Sequence, residues 1–166
     1  MNYILKDLSV TDSLTGLYNR LAYSQMGRDF YEKHKGNVFF LYIDMDYLKK
    51  INDSLGHDVG NVALIAIADG IKNSFPETDL RIRMGGDEFL VIGVLESEEK
   101  LIEQINALEQ FLDKRGQEEK LPVPLSASMG YVLGNDSEEC DDFEEMVKKS
   151  DARMYAIKQE KKRCRE

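Results

Sequence analysis

The chain has 166 residues, 42% of them hydrophobic, enough for one domain with a sizeable core and short of what two would require. Its net charge of -9 argues against a nucleic-acid polymer as partner, because polymer phosphates select basic faces, so any nucleotide bound here must meet locally gathered cations. Cys140 and Cys164 lack metal-ligand or redox spacing, and the longest apolar runs, such as Val62 to Ala68, fall far below the roughly 20 residues of a spanning helix, so a soluble cytoplasmic chain without membrane contact is expected.

Residues 1 to 10 predict a short helical lead with Ile4, Leu5 and Leu8 apolar, either the end of a longer signalling helix or a native start. Asp12 to Arg20, DSLTGLYNR, is dense in turn formers, and Asn19 is placed to cap a helix over Leu21 to Lys35 with Ala22, Met26 and Phe30 on one stripe. Gly36 and Asn37 end it. Val38 to Ile43 is the continuous apolar run of a central strand buried on both faces, and it delivers Asp44 at its end. Asp46 then precedes a short helix over Tyr47 to Asn52. It reads either as a plain N-cap or as part of a phosphate and metal site, where a strand-end carboxylate sits beside helix amides. Gly56 to Asn61 reads as a turn in which His57 is a packing residue, and Val59 to Phe75 as a buried helix broken by Pro76 and Asp79.

Arg81 to Val94, RIRMGGDEFLVIGV, is the stretch the chain is organised around. Leu80, Ile82 and Met84 alternate with Arg81 and Arg83, a second apolar run follows, and the Gly85-Gly86 pair between them suits a hairpin through the positive φ that glycine reaches at no steric cost. Asp87 and Glu88 fall at its tip, either as an ordinary acidic turn or as oxygen ligands for a divalent cation whose phosphate partner approaches bare backbone. Beyond it, Leu101, Ile102, Ile105, Leu108 and Leu112 mark an amphipathic helix, and Leu125, Ala127, Met129, Tyr131 and Leu133 a half-buried strand. A last helix is expected from about Asp141 to Lys162 with Phe143, Met146, Val147, Met154 and Ile157 inward. Its Lys158 and Lys162 share a face and either cap the helix dipole or meet a triphosphate.

This order predicts an α+β fold with a ferredoxin-like, palm-like core: a central, mostly antiparallel sheet of about five strands flanked by helices. In that arrangement Asp44 and Asp87 converge from different strands, the palm layout for metal-assisted nucleotidyl transfer.

With DSLTGLYNR, YIDMDYLKKINDSLGHDVGN, RMGGDEF, SASMGY and SDARMYAIK in this order, the chain resembles the GGDEF family of diguanylate cyclases over nearly its whole length, with residues 11 to 166 as the cyclase domain. The resemblance implies condensation of two GTP into cyclic di-GMP between the protomers of a transient homodimer, with two magnesium ions, for which manganese can substitute. It implies that Asp44, the Met45 carbonyl and Asp87 hold the metal, that Asp87 assists deprotonation of the attacking 3'-hydroxyl, and that Glu88 supports the turn. It places Gly85 and Gly86 beside the nucleotide, the Tyr47 and Leu48 amides with Lys49, Lys158 and Lys162 on phosphates, Asn52 on the base, and Leu48 and Leu64 along the base pocket. An upstream sensor domain is left open.

The chain departs from the family pattern at three places. The base-reading aspartate is Asn61 here, which offers one acceptor to guanine's two adjacent donors and matches adenine's donor and acceptor instead, so relaxed selectivity extending to ATP is an alternative, as is a catalytically weak nucleotide-binding module. Pro76 stands where the inhibitory RxxD motif needs arginine, with Asp79 its other end, so no strong product inhibition is expected through that pair. Lys162 lies in a KKR run where the family has glycine-arginine, which loses bidentate geometry and keeps the charge.

Overall fold

A computed structural model of the chain describes residues 9–134 and 142–165, so the first eight residues of the lead helix expected over residues 1 to 10, Cys140 and the Asp141 helix start lie outside the described residues. The elements in chain order are α1 (Arg20–Lys33), β1 (Val38–Met45), α2 (Leu48–Leu55), α3 (His57–Ser74), β2 (Leu80–Arg83), β3 (Glu88–Val94), α4 (Glu98–Glu118), β4 (Ala127–Leu133) and α5 (Phe143–Arg165).

The four strands form one sheet in the order β2-β3-β1-β4, every pairing antiparallel. The expected α+β architecture is present, with four strands among the described residues rather than about five. The Pro122 to Pro124 stretch before β4 stays irregular, since proline supplies no ladder donor. β1 is central and every one of its residues is buried, as its unbroken apolar run requires. Its odd positions, Phe39, Leu41, Ile43 and Met45, pack with Ile67, Ile71, Leu108 and Leu112 of α3 and α4. Its even positions, Val38, Phe40 and Tyr42, pack with Tyr23 and Tyr31 of α1 and Phe143, Met146 and Met154 of α5. The period of two therefore assigns Asp44 to the α5 side of the sheet.

Local chemistry sets the boundaries. Asn19 caps α1, its side chain accepting from the Ala22 amide at 3.0 Å. The free edge of β2 is covered by the preceding turn, where the Tyr18 amide donates to the Arg81 carbonyl and the Arg83 amide to the Tyr18 carbonyl. Asp12 joins the same turn to the hairpin through Arg83 at 3.2 Å.

Several expectations are corrected. Gly85 and Gly86 do not adopt positive φ; the hairpin closes through the Met84 amide on the Glu88 carbonyl, and what the glycines contribute is open space above the backbone. The turn expected over Gly56 to Asn61 shrinks to Gly56, at φ 90, and α3 already begins at His57. Ile102 and Ile157 face outward rather than inward. β4 is covered on both sides, with Ser128 and Gly130 fully packed and Met129 and Tyr131 half-buried, and Leu125 lies before it.

The reason for the last point is α5, which lies so close that a Cβ at Gly130 would collide with the Met154 amide nitrogen. Gly130→Ala is therefore expected to cost about 2 to 3 kcal/mol, because the obstacle is helix backbone and cannot rotate away. Chemical denaturation measures it; an unchanged midpoint would mean that α5 docks more loosely than this.

Candidate active site

Asp44 enters the site from β1, directly opposite Glu88 in the antiparallel register, and Asp87 enters from the hairpin turn. The Met45 amide donates to the Asp87 carbonyl at 2.8 Å, so backbone, not side chains, brings the two segments together. One carboxylate oxygen from each of Asp44, Asp87 and Glu88 lies within 4.8 Å of the others. Burial pushes the Asp44 carboxyl up to about 6; the Lys158 hydrogen bond opposes this and neighbouring Asp87 adds to it. Three acidic oxygens crowded at a partly buried point form the donor set that a hard divalent cation takes, and a cation removes their mutual repulsion. Glu88 is further oriented by the Tyr42 hydroxyl, which donates to Oε2 at 2.7 Å from the same face of β1.

Lys158 is the nearest compensating charge. Its ammonium donates to Asp44 Oδ1 at 2.7 Å and to the Met45 carbonyl at 3.2 Å. It reaches these groups because α5 packs on the face of β1 that carries Asp44, and it also lines the adjoining cavity.

A cavity of about 530 Å³ opens beside these groups, lined by Met45, Tyr47, Leu48, Lys49, Asp87, Lys158 and Lys162 together with Asp46, Lys50, Asp53 and Ser54. It has the size of a small-molecule site, and its walls carry both aspartates and lysines. Tyr47 begins the first turn of α2 with φ 66, a left-handed conformation that a bulky residue adopts only at a cost of about 1–3 kcal/mol. Asn52, Asn61 and Leu64 sit apart from that cavity, at the seam of α2 and α3: Asn52 is packed over Gly60, where a Cβ would collide with Asn52 Oδ1, Asn61 is exposed, and Leu64 is buried. Asn52 Oδ1 is buried without a hydrogen-bond partner. Gly85 and Gly86 are exposed at the hairpin tip, with nothing near their missing side chains.

Asp46 does not cap α2, whose N-cap is Tyr47; it lines the cavity without being one of the three clustered carboxylates. It is 1% exposed and accepts from Ser126 and Ser128 hydroxyls at 2.8 Å each and from Lys161 at 2.9 Å. Burial alone would raise its carboxyl, but these donors outweigh it and hold the group below the usual carboxylate range. Sequence reasoning missed Lys161, Tyr42 and the two serines. A signal existed for Lys161: Met154, Lys158 and Lys161 continue the inward 3.6-residue stripe of α5, whereas Ile157 does not.

Asp79, at the other end of the molecule, is 4% exposed, and its Oδ1 accepts from the Val94 amide at 3.3 Å, while Pro76 is exposed. Burial pushes its carboxyl up to about 6, against the Val94 amide and Arg81. A raised folded-state value favours the protonated form, so this contribution is fully present below about 4 and is lost as pH rises through 6. Asp79→Asn is accordingly expected to stabilise the fold by about 1 kcal/mol or more at pH 7.5, with the gain vanishing near pH 4. Thermal melts at the two pH values decide it, and a destabilised variant at pH 7.5 would refute it.

The family model described as "Diguanylate cyclase, GGDEF domain" matches residues 9–164. "Probable diguanylate cyclase DgcJ" of Escherichia coli (strain K12) is 36% identical over 157 residues, covering 92% of this chain and 30% of that protein. "Cyclic di-GMP phosphodiesterase NbdA" of Pseudomonas aeruginosa is 31% identical over 163 residues, covering 93% of this chain and 20% of that protein. A solved microbial GGDEF domain, described for its interaction with cyclic di-GMP, superposes with a TM-score of 0.75 at 30% identity, covering 91% of this chain and 94% of that one. The chain thus spans a third or less of these two curated relatives, whose names carry different activities, and what it shares with both is this domain. From the hairpin signature to the α5 lysines, the chain belongs to the GGDEF domain family of diguanylate cyclases.

Proposed function

We propose that this domain condenses two GTP molecules into cyclic di-GMP, each GTP held by one protomer of a transient head-to-head homodimer in the cytoplasm. The observation that carries this reading is the juxtaposition of the Asp44, Asp87 and Glu88 carboxylates with a cavity walled by Lys49, Lys158 and Lys162. Asp44, Asp87 and the Met45 carbonyl would hold magnesium, or manganese in its place, whose role is to neutralise charge on the phosphates. Asp87 would accept the proton of the attacking 3'-hydroxyl as that oxygen bonds to the α-phosphorus of the partner's GTP and pyrophosphate leaves, once for each of the two bonds formed, and Glu88, anchored by Tyr42, would keep the turn in place. The Tyr47 and Leu48 amides open α2 at the cavity, where a helix N-terminus favours anionic oxygens, and the lysines take the remaining phosphate charge. Gly85 and Gly86 leave room for the nucleotide to approach the main chain. An upstream sensor would act by bringing protomers together, since each supplies half of the reaction centre.

Incubation with GTP and magnesium, followed by chromatographic separation, tests this. Cyclic di-GMP should form at a rate that climbs more steeply than protein concentration. No cyclic product at high protein concentration would overturn the reading in favour of a nucleotide-binding module.

Base selectivity follows from the α2–α3 seam. Asn52 and Leu64 belong to the base pocket, and Asn61, the fifth residue of α3, presents an amide where a carboxylate would accept both guanine donors. Asn61→Asp is expected to lower KM for GTP about tenfold and to suppress any turnover of ATP, the worth of one regained buried contact. Equal KM values for the two proteins would remove Asn61 from base recognition. With Pro76 and buried Asp79 in place of an arginine-aspartate pair, cyclic di-GMP should not bind tightly outside the active site.

A further inference from the structure

The inward stripe of α5 ends on two lysines, and they do different things. Lys158 reaches the acidic cluster, whereas Lys161 donates to Asp46 Oδ2 at 2.9 Å and to the Ala127 carbonyl at 2.8 Å. Asp46 is in turn tied to β4 by the Ser126 and Ser128 hydroxyls and by its own amide, which donates to the Ser126 carbonyl at 2.9 Å. Asp46 lines the cavity, and Lys161 lies on α5 between two lysines that line it. Asp46 immediately precedes Tyr47, whose left-handed backbone turns the chain into α2, and Lys161 is flanked on α5 by Lys158 and Lys162. A strained turn persists only where its surroundings over-determine it, and the buried Asp46 carboxylate is the group that does so on the strand side. The same ion pair holds the last turns of α5 against β1 and β4, beyond Met154, where apolar packing on the sheet ends.

Resting on the cyclase reading, we infer that the Lys161–Asp46 ion pair positions the triphosphate site, by locking the Tyr47 turn of α2 and the lysine-bearing end of α5 to each other. Lys161 touches no substrate in this role; it acts through the residues on either side of it and of Asp46. An interaction of this kind binds ground state and transition state alike, so its loss appears in KM and not in kcat.

Lys161→Met, which keeps the stem and removes the charge, is expected to raise KM for GTP about tenfold with kcat within about threefold of the parent. Lys161→Arg should restore most of the difference, because a guanidinium also pairs with Asp46. Hydrogen exchange without nucleotide should show faster exchange in Lys161→Met at residues 46–48 and 158–162, with β1 and β3 amides unchanged. A lower melting temperature with parental KM and parental exchange at the Tyr47 turn would reduce the pair to a stabilising contact and overturn the inference, as would failure of Lys161→Arg to recover KM. If the parent forms no cyclic product, the cyclase reading falls separately. Exchange at residues 46–48 and calorimetric affinity for a non-hydrolysable GTP analogue, compared between parent and Lys161→Met, then decide the inference, and equality of both overturns it.

Discussion

Asp87→Asn is expected to lower cyclic di-GMP formation by on the order of 10³-fold or more while leaving the fold intact. The two halves of that expectation rest on different atoms. The Asp87 carbonyl accepts from the Met45 amide, and the hairpin closes through Met84 and Glu88, so the backbone of the turn does not depend on the side chain. The carboxylate, in contrast, is one of three acidic oxygens within 4.8 Å, and their proximity is unfavourable until a cation joins them. The neutral variant should therefore melt no lower than the parent in chelator. Added magnesium should raise the parent's melting temperature and leave the variant's unmoved; a ligand at 100 times its dissociation constant is worth about 2.7 kcal/mol. Parental turnover in Asp87→Asn would sink the assignment of the acidic cluster as the reaction centre, and an equal magnesium shift in both proteins would move the metal elsewhere.

Lys158→Met should reduce turnover by about 10²-fold and also destabilise the metal-free protein, by about 1–2 kcal/mol. Both follow from one ammonium with two positions. It lies on Asp44 and the Met45 carbonyl, at 20% side-chain exposure, and its removal leaves the buried Asp44 carboxylate without its ion-pair partner. Lys158 also lines the cavity, where under the proposed function phosphate oxygens would draw the ammonium. Under the proposed function magnesium would take Asp44 in its place, so the stability deficit should shrink as magnesium is added while the activity deficit remains. Melts of parent and variant across a magnesium series, alongside initial rates, separate the two; a deficit independent of magnesium would mean that lysine and metal do not share Asp44.

The elements that depend on local pattern were legible before any coordinates. Asn19 caps α1 because a cap is a contact across three residues, and β1 is central because the unbroken apolar run Val38 to Ile43 has no other place in a sheet. Convergence of Asp44 with Asp87 was also legible, since an acid at the end of a central strand and one at a hairpin tip meet once the strands pair. The positive φ assigned to Gly85 and Gly86 failed because a glycine pair is compatible with several turns, and only the pairing of Met84 with Glu88 selects among them.

Taken alone, the residue order determined that β1 is buried on both faces, which acids stand at the strand ends and which family's motifs the chain carries, because the apolar run and the motif spacings are properties of neighbours along the chain. Tertiary structure alone decided what those acids touch: Asp44 with Lys158, Asp46 with Lys161 and two serines, Glu88 with Tyr42. These partners lie between 46 and 115 positions apart, and whether a charge is neutralised by a lysine or left for a metal is a matter of distance through space, set by how α5 packs against the sheet.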